Sequence, residues 1–473
     1  DGTLLIPGQL AFGADTDSML RRRTSNDVEF RMAGSDIVRI NPSGLQVENG
    51  SLEVESGNVI ASGNISGSST STGSFGMLRV GDGGANLELR TKSANIAIGN
   101  LNTYPYVMNS SAGNYNIAIG TETMMSQTSG ERNTGLGYQA GRSNVGGDYN
   151  VFMGFGAGRG TTSGTYTGNT GLGYQTLYTV NTGENNVAIG RNALYQLDKG
   201  SDSVGIGLNA GYYATGSNNT FVGSEAGKGG TTSAPYSSGT FNTFVGYQSG
   251  QGFTTGTENT AIGVNALQAL TTGGTNTALG TRAGLVLTEG SSNTFVGKDA
   301  GDSATVINEA VLIGHNAGHT ISTSTALDGT VGIGAEALAA LTTGASNLAI
   351  GYQTMQNLTT GTANTAVGRK ALNSADGAES NNVAIGSSAM QNVNNDSSEK
   401  NVAIGADAMS SITTGEVDRC IAIGFGAMDG TGTVAGQQNI FIGNDAGGGS
   451  WTTAASNSNV AIGATAMSAA LNG

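Results

Sequence analysis

His315 and His319 lie four apart in GHNAGHTI, a spacing that on a helix would set two imidazoles on one face for a metal ion. No third ligand is evident near them, and both occupy variable positions of a sequence repeat. The pair is therefore read as ordinary loop residues rather than a metal site. Glycan cleavage would need two carboxylates at a fixed separation in a groove. Glu225, Asp299 and Asp445 each stand two residues after a repeat glycine, where a charge is more simply solvent-facing. The pairs Tyr138-Gln139, Tyr174-Gln175, Tyr247-Gln248 and Tyr352-Gln353 fill the two positions after that glycine. Exposed tyrosines could stack on sugars or pack between chains, and their recurrence with the repeat favours packing. Gly135-Leu136-Gly137 and Gly205-Ile206-Gly207 imitate part of a dinucleotide fingerprint, but no acidic residue is placed for a ribose. Asp is too sporadic for calcium-binding nonapeptide turns. No catalytic, cofactor-binding or metal residue is assigned, and a non-enzymatic protein without a cofactor is expected.

What positions these residues is a repeat. The pentapeptide Asn-Thr-Ala-Ile-Gly and its variants recur from Gly99 to Gly463 at 21 anchor glycines, most often 17 residues apart, as from Gly263 to Gly280 and Gly297. Longer steps are absorbed between anchors, as in SEAGKGGTTSAPYSSGTFN, and insertions that spare the motif mark a loop. A fixed period of this length decides the fold before local propensity can. A segment of 17 residues cannot bury an apolar face alone, whereas stacked segments make one continuous core. An all-β parallel solenoid, a β-roll of about 21 coils with short helical turns, is expected, extending on the order of 100 Å at the strand spacing.

Within one coil, the residue before the glycine is aliphatic or Met, and the one two before that is Val, Ile, Thr or, once, Leu348. Period two with β-branched residues predicts a strand, and these two positions share a face. The glycine ends it, where a side chain would be crowded or φ must turn positive. The residue between them is Ala, Gly or Phe, with Leu312 the exception, and its size trades against the fourth residue after the glycine. Phe152, Phe221, Phe244, Phe295 and Phe441 go with Gly158, Gly227, Gly250, Gly301 and Gly447, while Ala261 goes with Leu267 and Ala384 with Met390. Such a trade is what dense packing demands of two side chains filling one space, so the two are expected to touch and the strand to be buried on both faces, one against the inside of its own coil and the other against the next segment folding back or against a neighbouring chain. Gly135 with Gly141 and Ala278 with Gly284 break the rule. Leu267 and Leu270 predict a single helical turn closed by Gly273, a turn that Ala-Gly coils such as DAGDSA should lack. The opening Asn is present in 17 of 21 copies, with Ser203, Ala310, Thr330 and Cys420 at the others. Stacked one strand apart, these residues predict an Asn ladder, in which Cys420 is a small buried substitute rather than a reactive thiol.

Composition agrees. The 473 residues are 37% apolar and 11% charged, with 79 glycines and 4 prolines, which suits glycine-punctuated β structure rather than a disordered tail. The net charge of −14 is thinly spread and Arg21-Arg22-Arg23 is the only basic run, so nucleic acid is not an expected partner. The lone Cys420 excludes an intrachain disulfide framework. No window reaches eighteen apolar residues and no secretory signal opens the chain, so no membrane insertion is expected. Residues 1–62 read as an irregular β-rich shaft segment, with alternating runs at Val28-Glu29-Phe30-Arg31-Met32, Ile37-Val38-Arg39-Ile40 and Leu52-Glu53-Val54. Residues 63–94 read as a Gly/Ser/Thr-rich connector with short β, and 95–473 as the solenoid array. Beginning at Asp and stopping part-way through a repeat, the chain is expected to be a piece of something longer.

The motif N-[TVI]-A-I-G-x-x-[AS], as in Asn186-Val187-Ala188-Ile189-Gly190 and Asn382-Val383-Ala384-Ile385-Gly386, resembles the head repeats of trimeric autotransporter adhesins. In that family similar strands form left-handed parallel β-rolls that associate in threes, with a period shorter than the 17 found here. A closer likeness is to phage tail-fibre proteins, in which G-Y-Q-A-L…T-T-G-x-x-N-T-A-I-G arrays follow a β-rich shaft and a segment like GNISGSSTSTGSFG, 63–76 here. The likeness covers about four fifths of the chain. It implies a homotrimeric fibre on a virion, joined to other tail proteins and serving as spacer or adhesin toward a host surface glycan or protein. It also implies a cleavable intramolecular chaperone of the endosialidase type, and none is visible here. A bacterial surface adhesin or extracellular filament subunit is the alternative, and a fibre-borne glycan-degrading enzyme a third reading.

Overall fold

The computed structural model describes residues 9–11, 19–24, 27–32, 35–41, 44–47, 95–98, 113–230, 233, 236–321, 327–413, 415–431, 436–449 and 457–468. The chain divides into two compact units, Asp1–Leu87 and Glu88–Gly473. In the first unit, β1 (Gln9–Ala11), β2 (Met19–Thr24), β3 (Asp27–Met32), β4 (Ser35–Asn41) and β5 (Gly44–Val47) form an antiparallel sheet in sequence order. The alternating runs at 28–32 and 37–40 are strands β3 and β4. The run at 52–54 and the connector at 63–94 lie outside the described residues.

The second unit is a parallel β-solenoid. Its sheet contains 21 strands of three residues, one per coil, from Ile96–Ile98 to Val460–Ile462. Neighbouring coils pair residue for residue, so Thr260, Ala261 and Ile262 lie beside Thr277, Ala278 and Leu279. This is a ladder with two ends, not a ring. Among the described residues Ile96–Ile98 pairs with Ile117–Ile119 alone and Val460–Ile462 with Ile440–Ile442 alone, and Ile462 at the last edge is 70% exposed. Insertions leave the register untouched: Thr220–Val222 still pairs in step with Thr243–Val245 although the step between them is 23 residues.

One side chain per strand points into the coil. Ala261 is fully buried while Thr260 is half-buried and Ile262 is exposed. The expectation that both strand faces are buried is thus corrected for the single chain. The inward face is the middle residue, and the β-branched residues on either side of it form the outer face. The interior is narrow and holds Ala266, Leu267 and Leu270 of the same coil beside Ala261, so only small or compensated residues fit at the middle position.

The volume trade is a contact. A Cβ added at Gly158, Gly227, Gly250, Gly301 or Gly447 would run into the ring of Phe152, Phe221, Phe244, Phe295 or Phe441 respectively. The two exceptions are settled by adjacent coils. A Cβ at Gly135 would meet Thr123 Cγ2 at 2.6 Å and Met124 Cε at 3.0 Å, and one at Gly284 would meet Leu267 and Phe295, each at 2.7 Å. Side chains from the coils before and after fill the space that the small pair leaves, as a continuous stacked core allows.

The turn after the glycine differs from the expected helical turn. Asn265 and Leu267 have φ of 58° and 47°, which reverses the backbone hand twice within the length of one turn. The segment instead contains two tight turns, in which Ala266 N donates to Gly263 O and Leu270 N donates to Leu267 O. Coils with Ala-Gly keep this geometry: Asp299 and Gly301 have φ of 60° and 57°, and Ala304 N donates to Gly301 O. A 3₁₀ turn is found at Asp429–Thr431. The anchor glycine meets both of its requirements. Gly263 has φ of 143°, and a Cβ there would strike the carbonyl of Gly280 on the next coil.

Beside the core runs the Asn ladder. Asn276 donates from its backbone N and from Nδ2 to Asn259 Oδ1, both at 3.0 Å, and Nδ2 also donates to Gly290 O at 2.8 Å. The ladder is buried and fully partnered at such rungs, so its polar atoms are stabilised rather than stranded. Substitutes keep part of it: Asn219 N donates to Ser203 Oγ, and Cys420 N to Asn401 Oδ1. Cys420 is buried, its Sγ lies 3.3 Å from Gly436 O, and burial pushes its thiol pKa up, so the substitute role holds.

Candidate functional surface

The outer face of the ladder is a surface to which coil after coil contributes the same positions. The residue before the anchor glycine is exposed by at least 36% at Ile98, Leu136, Met153, Ile189, Ile206, Ile262, Leu279, Ile385, Ile404 and Ile462. Because coils stack in register at roughly 4.8 Å, this position forms an aliphatic stripe along the sheet, exposed in these ten coils and half-buried in the other eleven, among them five in succession from Val296 to Val367. The residue after the glycine widens it with Tyr138, Phe155, Tyr174, Leu208, Tyr247, Val264, Tyr352 and Phe425, all exposed. Isolated exposed apolar residues need no explanation, but a contiguous stripe marks an interaction surface.

Next to the stripe is a polar ladder that sequence reasoning does not foresee. Gln139, Gln248 and Gln353 of the Tyr-Gln pairs donate from Nε2 to Glu122, Glu225 and Glu336 of the preceding coil at 2.7, 2.8 and 2.8 Å. A second donor three residues further on completes each carboxylate, as Arg142 does for Glu122, Gln251 for Glu225 and Gln356 for Glu336. Gln248 first, and then Lys228, holds the Glu225 carboxyl below the usual carboxylate range. Asp299 is a correction, since it is only 3% exposed rather than solvent-facing. Arg282 Nε at 2.5 Å and Lys298 Nζ at 2.8 Å compensate its burial, and the hydrogen bond from Arg282 leads in lowering its pKa to about 2. Asp445 takes Asn444 Nδ2 at 2.6 Å. These carboxylates are members of structural networks, held on separate coils and each partnered.

The tyrosines divide. Tyr138, Phe155 and Tyr174 stack at centroid distances of 5.2 and 5.3 Å, and a second column joins Tyr178, Tyr195 and Tyr212 at 4.9 and 4.8 Å. Arg159 caps Tyr178 at 5.0 Å. Burial between neighbouring rings raises the pKa of Tyr195 and Tyr212. Beside the second column an open groove of about 570 Å³ is lined by Thr179, Asn181, Gln196, Asp198, Lys199 and Tyr236, among others.

The histidines do not form a pair. His319 Nδ1 lies 2.7 Å from Asp302 Oδ1, one coil back, while His315 is exposed on a stretch that is not helical. The one group of three metal-capable side chains among the described residues is Asp376, Glu379 and Asp396, and it includes neither. Among the described residues no helix is long and apolar enough to cross a membrane. No family model, curated protein or solved structure matches the chain.

Proposed function

We propose that this protein is a structural fibre of a virion, a tail fibre in which three copies associate in parallel through their outer aliphatic stripes and hold out surfaces for host attachment. The observation that carries this reading is the stripe itself: an aliphatic residue at the same strand position in coil after coil, exposed in ten of the 21 and half-buried in the others, in register along the sheet. An apolar strip of this length is costly to leave in water, at about 25 cal/mol per Å², and a parallel copy with the same coil spacing matches it rung for rung. The mechanism is mechanical and multivalent, because a stiff ladder keeps weak contact sites in fixed register so that several engage together. The exposed tyrosines and the groove beside Tyr236, with its Asn181, Gln196, Asp198 and Lys199 side chains, offer the stacking and hydrogen-bonding groups that a saccharide or protein receptor uses.

Sedimentation equilibrium tests the assembly. The full chain is expected at three times its 47.2 kDa mass, and the double variant Ile189→Asp with Ile262→Asp is expected at the mass of one chain with an unchanged far-ultraviolet spectrum. A wild-type chain that sediments as a monomer contradicts the proposal.

A further inference from the structure

Glu379 stands three residues before Asn382. In most coils that position is glycine, as at Gly256, Gly273, Gly290 and Gly361, elsewhere it holds residues such as Tyr166, Ile307, Ser398 and Val417, and Glu379 is the one acid there. The backbone of Glu379 does what the glycines do, since its carbonyl accepts Asn364 Nδ2 at 2.8 Å, as Gly273 O accepts Asn259 Nδ2 at 2.9 Å. The carboxylate is an addition that the fold does not need. It is 0% exposed; Oε2 accepts Gly377 N at 3.1 Å, and Oε1 is buried with no partner.

Two more carboxylates converge on it. Asp376 comes from the same loop and Asp396 from the next coil, and one oxygen from each of the three lies within 4.8 Å of the others. Asp396 Oδ1 is fixed by Ala378 N at 3.0 Å. Among the described residues no Lys or Arg forms an ion pair with any of the three. Burial, then the charges of Asp396 and Asp376, push the Glu379 carboxyl pKa up, as expected for like charges crowded without a counterion. A hard divalent cation removes that conflict, because calcium takes roughly six to eight oxygen ligands from carboxylates, carbonyls and water.

We propose that Asp376, Glu379 and Asp396 bind a calcium-like divalent cation that joins two successive coils where their loops depart from the repeat. The buried, unpartnered Glu379 Oε1 is the observation that separates this cluster from an ordinary acidic surface. The site is independent of trimer formation and of any receptor.

Isothermal titration of the chelator-treated full chain with calcium chloride tests it. One ion per chain is expected, with a dissociation constant in the range of about 10⁻⁴ to 10⁻³ M typical of extracellular calcium modules. Glu379→Gln and Asp396→Asn are each expected to weaken binding at least about tenfold, and Glu399→Gln, an exposed acid already paired with Lys400, is expected to leave it unchanged. Glu379→Gly installs the residue that other coils carry, so it is expected to fold and to lose binding; a circular dichroism melt verifies its fold. Absence of calcium binding in the wild type overturns the proposal, as does wild-type affinity in Glu379→Gly. A Glu379→Gln variant that melts higher than a calcium-insensitive wild type would also overturn it, showing that a proton relieves the cluster instead.

Discussion

At Phe244 and Gly250 the packing rule of the whole array comes down to two residues. The Phe244 ring occupies the volume that Leu267 fills beside Ala261 one coil later, so a Cβ on Gly250 has no room. Gly250→Leu is expected to lower unfolding free energy by about 1 to 3 kcal/mol through overpacking. Adding Phe244→Ala is expected to restore most of that loss, because the pair then matches Ala261 with Leu267. Urea unfolding of the two variants measures it; a double variant no more stable than Gly250→Leu contradicts the exchange of volume. This contact is legible in the sequence because the trade repeats in coil after coil. The exceptions at Gly135 and Gly284 are not, since the filling atoms belong to Met124, Leu267 and Phe295 on other coils, and a comparison made within one coil cannot see them. The Gln-to-Glu ladder is hidden for a similar reason: it joins the same position of successive coils, where Glu, Gln, Asn, Arg and Asp alternate, so no single residue type marks it.

At the scale of the coil, the strand and its glycine are readable from period two and a positionally fixed Gly, whereas the turn is not. Spacing of Leu267 and Leu270 by three suits a helix, but the left-handed backbone at Asn265 and Leu267 excludes one. Left-handed φ at a non-glycine residue costs roughly 1–2 kcal/mol, and residues as different as Phe241, Glu258, Thr275 and Arg419 accept it just before the motif. Hydrogen bonds between coils offset this cost, as where Thr275 N donates to Thr257 O at 2.9 Å. Such a position carries no compositional signature because stacking, not local propensity, imposes it. The anchor glycine is the opposite case. Gly263→Ala forces a Cβ into the Gly280 carbonyl at φ of 143° and is expected to cost about 2 kcal/mol or more. Since each coil contacts only its neighbours, hydrogen exchange in that variant is expected to rise in the coils around 243–297 and to stay unchanged near Ile421–Ile423. A uniform rise along the chain would contradict nearest-neighbour stacking.

For the molecule, the repeat fixes a ladder whose inside is complete and whose outside is not. From Ala140 to Ala461 the coils place their middle strand residues, their alanines and their downstream Leu or Met side chains in one core, and the Asn ladder closes the polar groups beside it. The aliphatic residues on the other strand face are covered only in part by their own chain, and this asymmetry, rather than any pocket, is what the proposed fibre of several chains rests on. It is half legible: alternation marks two faces, but which of them lies inside depends on the narrow bore of the coil, which a sequence pattern does not report. Cryo-electron microscopy of the intact chain is the most direct test. The account predicts three parallel copies with Ile189, Ile206 and Ile262 turned toward a shared axis and a rise of about 4.8 Å per coil. A single chain with those residues in solvent, or copies joined through another face, would contradict it.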